Sequence, residues 1–168
     1  MKKISLSVLV ACIVACYSIS YSQKSVSKIS DTHVSIDELS IAMGEWNGSL
    51  TYKNYSDGSP FTMPVNLTVS EGDKANELTL YYAYPYEPHA NSSDILKLSK
   101  KSHKLNGHKL ISKNTLPDGQ LQIITVHKGK DNRKKARIQN VYILSANQVT
   151  IRKDVQYINS SKTITRNE

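Results

Sequence analysis

The chain has 168 residues, a formal net charge of +8 and a hydrophobic fraction of 39%. That length corresponds to about one ordinary domain, which is enough to build a hydrophobic core. Both cysteines, Cys12 and Cys16, lie in the N-terminal apolar run, so removal of that run would exclude a disulfide framework, a thiolate metal site and a cysteine nucleophile.

The first 22 residues have the plan of a secretory signal peptide. Lys2 and Lys3 give a positive start, and the apolar run over residues 4–16 is too short to span a bilayer comfortably. Small residues before Gln23 predict cleavage there, which would release a periplasmic or extracellular protein. The alternative is an outer-membrane lipoprotein, since the last four residues of the run resemble a lipobox ending at Cys16. Membrane attachment is expected only if Cys16 is lipidated.

Cleavage before Gln23 leaves 20 basic and 14 acidic residues, a net charge of +6. The basic residues gather in two stretches, 97–109 and 128–137. One interpretation is an anion-binding face for an acidic glycan or lipid of the cell envelope. The other is that lysines keep hairpin loops and sheet edges soluble. Nucleic acid is not an expected partner, because the chain is exported and the stretches lack interleaved aromatic residues.

A short helix is predicted after a polar tether over residues 23–34. Ser35 is a plausible N-cap with Glu38 three residues later, which is the spacing of a capping box. Gly44 is expected to end the helix. The apolar residues near helical spacing are Ile36, Leu39 and Met43.

Alternating apolar and polar residues then predict strands to the end of the chain. Turn signals such as Asn106-Gly107 and Lys128-Gly129 separate them. Because few strands are apolar on both faces, we expect an all-β domain over residues 35–168, a single antiparallel meander barrel of about eight strands preceded by the short helix. A β-sandwich is the alternative. The predicted strands cover residues 46–52, 62–69, 77–84, 95–98, 108–116, 121–127, 136–144 and 148–157, with a last strand from 162.

The run Gly44-Glu45-Trp46, placed after a short helix and before a β-meander, resembles the lipocalins and the wider calycin superfamily. The stretch from Trp46 to Tyr52 is also similar to small lipocalin-like secreted proteins of the Bacteroidetes. The resemblance implies that the tryptophan closes one end of the barrel and packs under a basic residue of a late strand. Arg152 and Arg166 are the candidates for that residue. The late helix and the disulfide of typical lipocalins are absent from this pattern.

In function, the resemblance implies a non-enzymatic protein that binds a small hydrophobic or amphipathic ligand inside the barrel. Tyrosine hydroxyls would supply the few polar anchors of a mainly apolar pocket. The alternative is that side chains fill the interior completely, as they do in many small barrels. The residues expected to line a ligand site are Trp46, Leu50, Tyr52, Leu67, Leu80, Tyr82, Tyr142 and Ile151.

The sequence shows no catalytic pattern, so an enzyme is not expected. No Ser-His-Asp order, carboxylate pair or glycine-rich phosphate loop stands out. The five histidines lack metal-ligand spacing, and His127 lies at the end of the predicted strand 121–127. Neither a metal nor a cofactor is predicted. The second functional hypothesis is a structural or adhesive module of the cell envelope that binds anionic surface material through the basic loops and the tyrosine-rich stretch 81–86.

Overall fold

A computed structural model of the protein describes residues 32–168. The predicted signal peptide, the lipidation at Cys16 and most of the tether lie outside the described residues. The described chain is all-β and antiparallel, with its strands in one nearly closed sheet rather than the two sheets of a sandwich. The elements are α1 Ile36–Ser40, β1 Gly44–Lys53, β2 Pro60–Glu71, β3 Glu77–Ala83, a 3-10 turn Pro88–Ala90, β4 Ser92–Lys97, β5 Lys104–Leu105, β6 His108–Thr115, β7 Leu121–Asp131, β8 Lys134–Leu144, β9 Val149–Tyr157 and β10 Thr163–Asn167.

Helix α1 begins at the predicted capping box. The Ser35 hydroxyl accepts from the Glu38 amide at 3.1 Å, and the Ser35 amide donates to the Glu38 carboxylate at 2.8 Å. The helix ends at Ser40, earlier than expected, and Met43 is consequently 41% exposed instead of packing with the apolar face. Leu39 is fully buried, so this short helix covers one end of the sheet.

The spatial order of the strands is β4-β3-β2-β1-β10-β9-β8-β7-β6-β5. Strands that are adjacent in the sheet are therefore consecutive in the sequence. The exception is the pair of β1 and β10, the first and last strands of the described chain. The remaining seam lies between β4 and β5, where Leu98 and Leu105 form an isolated bridge. There the Asn106 amide donates to the Lys97 carbonyl at 2.8 Å, and the Asn106 side chain accepts from the Lys97 amide at 2.7 Å. These bonds nearly close the barrel.

The sheet has ten strands rather than about eight. The two-residue strand β5 was not predicted, and β7 runs past the expected Lys128-Gly129 turn to Asp131. Gly129 pairs with Ala136 inside the ladder, where a Cβ would come within 3.0 Å of the Ile138 side chain. The glycine therefore serves close packing, not a turn. The actual turn lies at residues 132–133, both of which have positive φ.

The Asn106-Gly107 hairpin is confirmed. Both residues have positive φ, 51° and 79°, and Leu105 pairs with His108 across the turn. This is the backbone geometry that asparagine and glycine favour in two-residue hairpins.

The hydrophobic core fills the half of the barrel next to α1. Val34 and Leu39 enter it from the N-terminal side, and inward positions of the strands complete it. A smaller buried cluster of Ala136, Ile138 and Val155 lies apart from it on β8 and β9. Within residues 32–168, no helix has the length and apolar character needed to cross a bilayer.

Candidate ligand-binding cavity

The barrel contains a cavity of about 1310 Å³ that is partly open to solvent. All eight residues that the sequence assigned to a ligand site lie on its wall. Leu67, Leu80 and Tyr142 are buried, whereas the other five are half-buried. The side chains of the described residues therefore do not fill the interior, and the volume exceeds the roughly 300–1,000 Å³ of ordinary small-molecule pockets.

Two tyrosines supply hydroxyl groups inside the apolar half of the cavity. Burial, with a smaller contribution from the Asp94 carboxylate, raises the pKa of Tyr142 to about 12. The same two causes raise the pKa of Tyr82 further still. Both phenols are therefore neutral across the physiological pH range. They can serve as hydrogen-bond donors and acceptors, but not as charges.

A buried ion cluster lies where the tip of the β7–β8 hairpin meets β9 and β10. Asp131 is 3% exposed and accepts four hydrogen bonds. Tyr157 and Arg166 donate to its Oδ2, each at 2.8 Å. Its Oδ1 accepts from Tyr55 at 3.0 Å and from Lys153 at 3.3 Å. Burial alone would raise the pKa of Asp131, but the hydrogen bonds from Tyr157, Arg166, Tyr55 and Lys153 outweigh it and hold that pKa below its usual value.

The cluster carries more positive than negative charge. Two cations, Lys153 and Arg166, share the single Asp131 carboxylate. Arg166 is 8% exposed, and its Nε lacks a hydrogen-bond partner among the described residues. Because both cations also lie on the cavity wall, the polar end of the cavity has a surplus positive charge.

His108 of β6 and His127 of β7 stack against each other on the cavity wall. Their ring centroids are 3.6 Å apart and the planes differ by 8°. Burial, followed by the neighbouring His108 and Lys153, lowers the pKa of His127. The neutral imidazole is therefore favoured, and its buried Nδ1 has no hydrogen-bond partner among residues 32–168. No group of three or more metal-binding side chains occurs in that range.

Trp46 does not receive the arginine that the lipocalin resemblance implied. The Arg166 guanidinium lies 4.3 Å from the ring centroid of Tyr55, held there by the ion pair with Asp131. Arg152 instead bonds to Asp154 at 3.2 Å. The indole of Trp46 donates to the Ala42 carbonyl at 2.9 Å, which ties β1 to the segment after α1. Gly44 begins β1 with a φ of 135° and does not line the cavity.

Two polar residues of the interior, Asp131 and Lys153, were not predicted from the sequence. Strand parity carries the signal for Lys153, since it lies two residues from both Ile151 and Val155 and so shares their face. Asp131 had no such signal, because β7 was expected to end before it. Its four donors come from sequence positions as distant as residues 55 and 166.

The tyrosine-rich stretch 81–86 faces both ways. Tyr81 and Tyr86 are 43% and 81% exposed, whereas Tyr82 and Tyr84 are half-buried on the cavity wall. Strand alternation accounts for the difference between Tyr81 and Tyr82, whereas Tyr84 and Tyr86 lie beyond the end of β3 at Ala83.

Comparison with protein-family models, with curated proteins and with solved structures gave no match.

Proposed function

We propose that the protein is an exported, non-enzymatic, lipocalin-like β-barrel that binds a small amphipathic ligand in its interior. The observation that carries this proposal is the cavity of about 1310 Å³. A barrel whose interior was filled completely by its own side chains would leave no such space. Its wall combines apolar side chains with many polar ones, which suits a ligand that is itself part apolar and part polar.

The two ends of the cavity suggest how such a ligand lies. Leu67, Leu80 and Tyr142 offer an apolar wall near α1. Lys153 and Arg166 lie at the other end with more positive charge than Asp131 neutralises. A ligand with an apolar body and an anionic or strongly polar head would satisfy both ends at once.

Binding of a ligand inside the cavity is tested by a variant whose larger side chain occupies part of the cavity. The variant Val65→Trp places an indole on the cavity wall opposite Gly48, at whose Cβ position nothing lies within 4 Å. The matched control, Asn66→Trp, puts the same group on the outer face of the same strand. We expect at least a tenfold loss of affinity for the fluorescent probe 1-anilinonaphthalene-8-sulfonate in Val65→Trp only. Equal affinity in both variants, or no probe binding to the wild type, would contradict the proposal.

Head-group preference is tested with a pair of lysine variants. Lys153→Met keeps the apolar stem and removes the charge, and Lys162→Met makes the same change at an exposed site outside the cavity. We expect Lys153→Met to lower the affinity for the sulfonated probe about tenfold, because the charged partner of the sulfonate is lost. The uncharged analogue N-phenyl-1-naphthylamine should bind to both variants like the wild type. If the two probes lose affinity equally, Lys153 does not select an anionic head.

A second candidate function is attachment to anionic envelope material. It is favoured by the β7–β8 hairpin, whose tip presents only basic charges to solvent. These are the exposed residues Lys128, Lys130, Arg133, Lys134, Lys135 and Arg137. Binding to lipopolysaccharide should weaken steeply as salt rises from 50 to 500 mM, because surface charges are screened. Salt-independent binding, or none, would remove this candidate.

A further inference from the structure

A carboxylate lies on the inner face of the barrel, on the wall opposite Lys153. Asp94 of β4 pairs with the buried Leu80 of β3, so their side chains share one face of the sheet. Both residues line the cavity. In the order of the ten strands β4 is the first and β9 the sixth, which places Asp94 and Lys153 on opposite sides of the nearly closed barrel. The cavity therefore has a negative end group as well as positive ones.

The charge of Asp94 is not neutralised by any residue in the range 32–168. Its Oδ1 accepts from the Ile95 amide at 2.8 Å, and its Oδ2 has no hydrogen-bond partner in that range. Lys97, three residues later on β4, forms an ion pair with Glu77 at 2.8 Å instead. Asp94 is exposed and also lines the cavity, so its carboxylate lies where the cavity meets solvent. A charged group of a ligand can therefore reach it.

Two tyrosine side chains lie near this carboxylate. Tyr82 follows Leu80 by two residues on the same face of β3, and Tyr142 lines the cavity from β8. Both rings belong to the core cluster that contains Leu80. Burial is the larger cause of the raised pKa of each phenol, and the Asp94 charge is the second. Tyr142 also contributes to the raised pKa of Tyr82, so the three groups lie near one another.

A carboxylate beside two aromatic rings has the chemistry of an ammonium site. The carboxylate supplies the opposite charge, and the ring faces attract a cation through their quadrupole. The neutral phenol oxygens can accept hydrogen bonds from N–H groups. An anionic group would be repelled by Asp94, which distinguishes this part of the cavity from the end that contains Lys153 and Arg166.

We propose that Asp94, Tyr82 and Tyr142 form an ammonium subsite, and that the ligand is a zwitterion whose two charges are separated by an apolar span. The ammonium group would lie at Asp94 and the anionic group at Lys153, on the opposite wall. The subsite rests on the proposed function, because it belongs to the same cavity. It deepens that function by assigning a charge to each end of the ligand.

Three octyl compounds that differ only in their charged ends test the subsite. They are 8-aminooctanoate, which has both charges, octanoate, and octylammonium, and each is titrated calorimetrically into the protein. We expect 8-aminooctanoate to bind at least fivefold more tightly than the other two, because it alone pairs with both walls. An affinity for 8-aminooctanoate no higher than that for octanoate would overturn the proposal.

The carboxylate is tested by Asp94→Asn, which keeps the size of the side chain and an oxygen that can accept from the Ile95 amide. The matched control is Asp73→Asn, an exposed carboxylate outside the cavity. We expect Asp94→Asn to lower the affinity for octylammonium and 8-aminooctanoate about tenfold and to leave octanoate binding unchanged. Unchanged octylammonium binding overturns the proposal. An equal loss for octanoate also overturns it, because the effect would then be structural.

The aromatic part of the subsite is tested by a second pair of variants. Tyr82→Phe keeps the ring, whereas Tyr82→Leu keeps only an apolar side chain. We expect octylammonium to bind about fivefold more weakly to Tyr82→Leu than to Tyr82→Phe, because a cation is attracted to a ring face. Octanoate should bind equally to both. Equal octylammonium affinity in the two variants would remove the rings from the subsite and overturn the proposal as stated.

Failure of the subsite is distinct from failure of the small-ligand function. If N-phenyl-1-naphthylamine binds to the wild type but octylammonium binding does not depend on Asp94, the subsite alone is wrong. If neither N-phenyl-1-naphthylamine nor any of the three octyl compounds binds, the proposed function and the subsite are both wrong.

Discussion

At the scale of single residues, Asp131 has the most demanding position in the molecule. Its carboxylate is buried and joins the β7–β8 hairpin to the β1–β2 turn, β9 and β10 through four donors. Buried ion pairs add little net stability when they form, because desolvation offsets their attraction. Loss of one partner is costly, because the other charge stays buried and uncompensated.

We therefore expect Asp131→Asn to lower the free energy of unfolding by about 3 kcal/mol at pH 7. Urea denaturation measures this, with Asp73→Asn, an exposed carboxylate, as the control. The pKa of Asp131 is lowered in the folded state, so its contribution is present above about pH 4 and is lost as pH falls through the folded-state value. The stability difference between wild type and Asp131→Asn should accordingly shrink below pH 4. A difference that stays constant down to pH 2 would contradict this assignment.

At the scale of elements, α1 acts as an end cover for the barrel. A five-residue helix has little stability of its own, so packing of its apolar side has to hold it in place. Leu39 is fully buried in the main core, and the Trp46 indole bonds to Ala42 just after the helix.

Leu39→Ala should destabilise the protein by about 2–5 kcal/mol, the usual range for a leucine removed from a core. Ile41→Ala, two residues later but 43% exposed, should change the unfolding free energy by less than about 0.5 kcal/mol. Equal effects of the two variants in urea denaturation would show that α1 does not cover the core.

The helix and most strands were predictable, because capping and alternation are local signals. Ser35 and Glu38 define the helix start, and Asn106-Gly107 defines a hairpin, within a few residues each. The end of β7 was not predictable in this way. The Lys128-Gly129 pair predicts a turn when the sequence is taken alone. The close packing of Gly129 against Ile138 explains why this glycine lies inside a strand.

At the scale of the whole molecule, the sheet closes at a seam between strands that are distant in the sheet order but close in sequence. Asn106 makes both of its bonds at this seam to the backbone of Lys97. The eight predicted cavity residues all line the cavity, because strand alternation places their side chains on the inner face of the sheet. Their polar counterparts depend on barrel closure, which brings residues such as 55, 131 and 166 together and which no short sequence pattern encodes.

Asn106→Ala should loosen this seam. Removing the side-chain acceptor leaves the Lys97 amide without its partner, and alanine fits a φ of 51° less well than asparagine. We expect amide exchange at Lys97 to accelerate at least tenfold. The Leu98 amide, which donates to the Asn76 carbonyl, and the β8–β9 ladder should keep their protection. Asn106→Asp retains the acceptor and should preserve most of the protection. Faster exchange throughout the sheet would show that the seam is not a separate unit.

The ion pair between Asp131 and Arg166 has a kinetic consequence. It fastens the hairpin tip over one end of the barrel, and α1 covers the other end. A small molecule that enters the interior between these two ends can do so without separating these charges. Its association rate in stopped-flow experiments should then be the same in wild type and Asp131→Asn under conditions where both are folded, although the two proteins differ in stability.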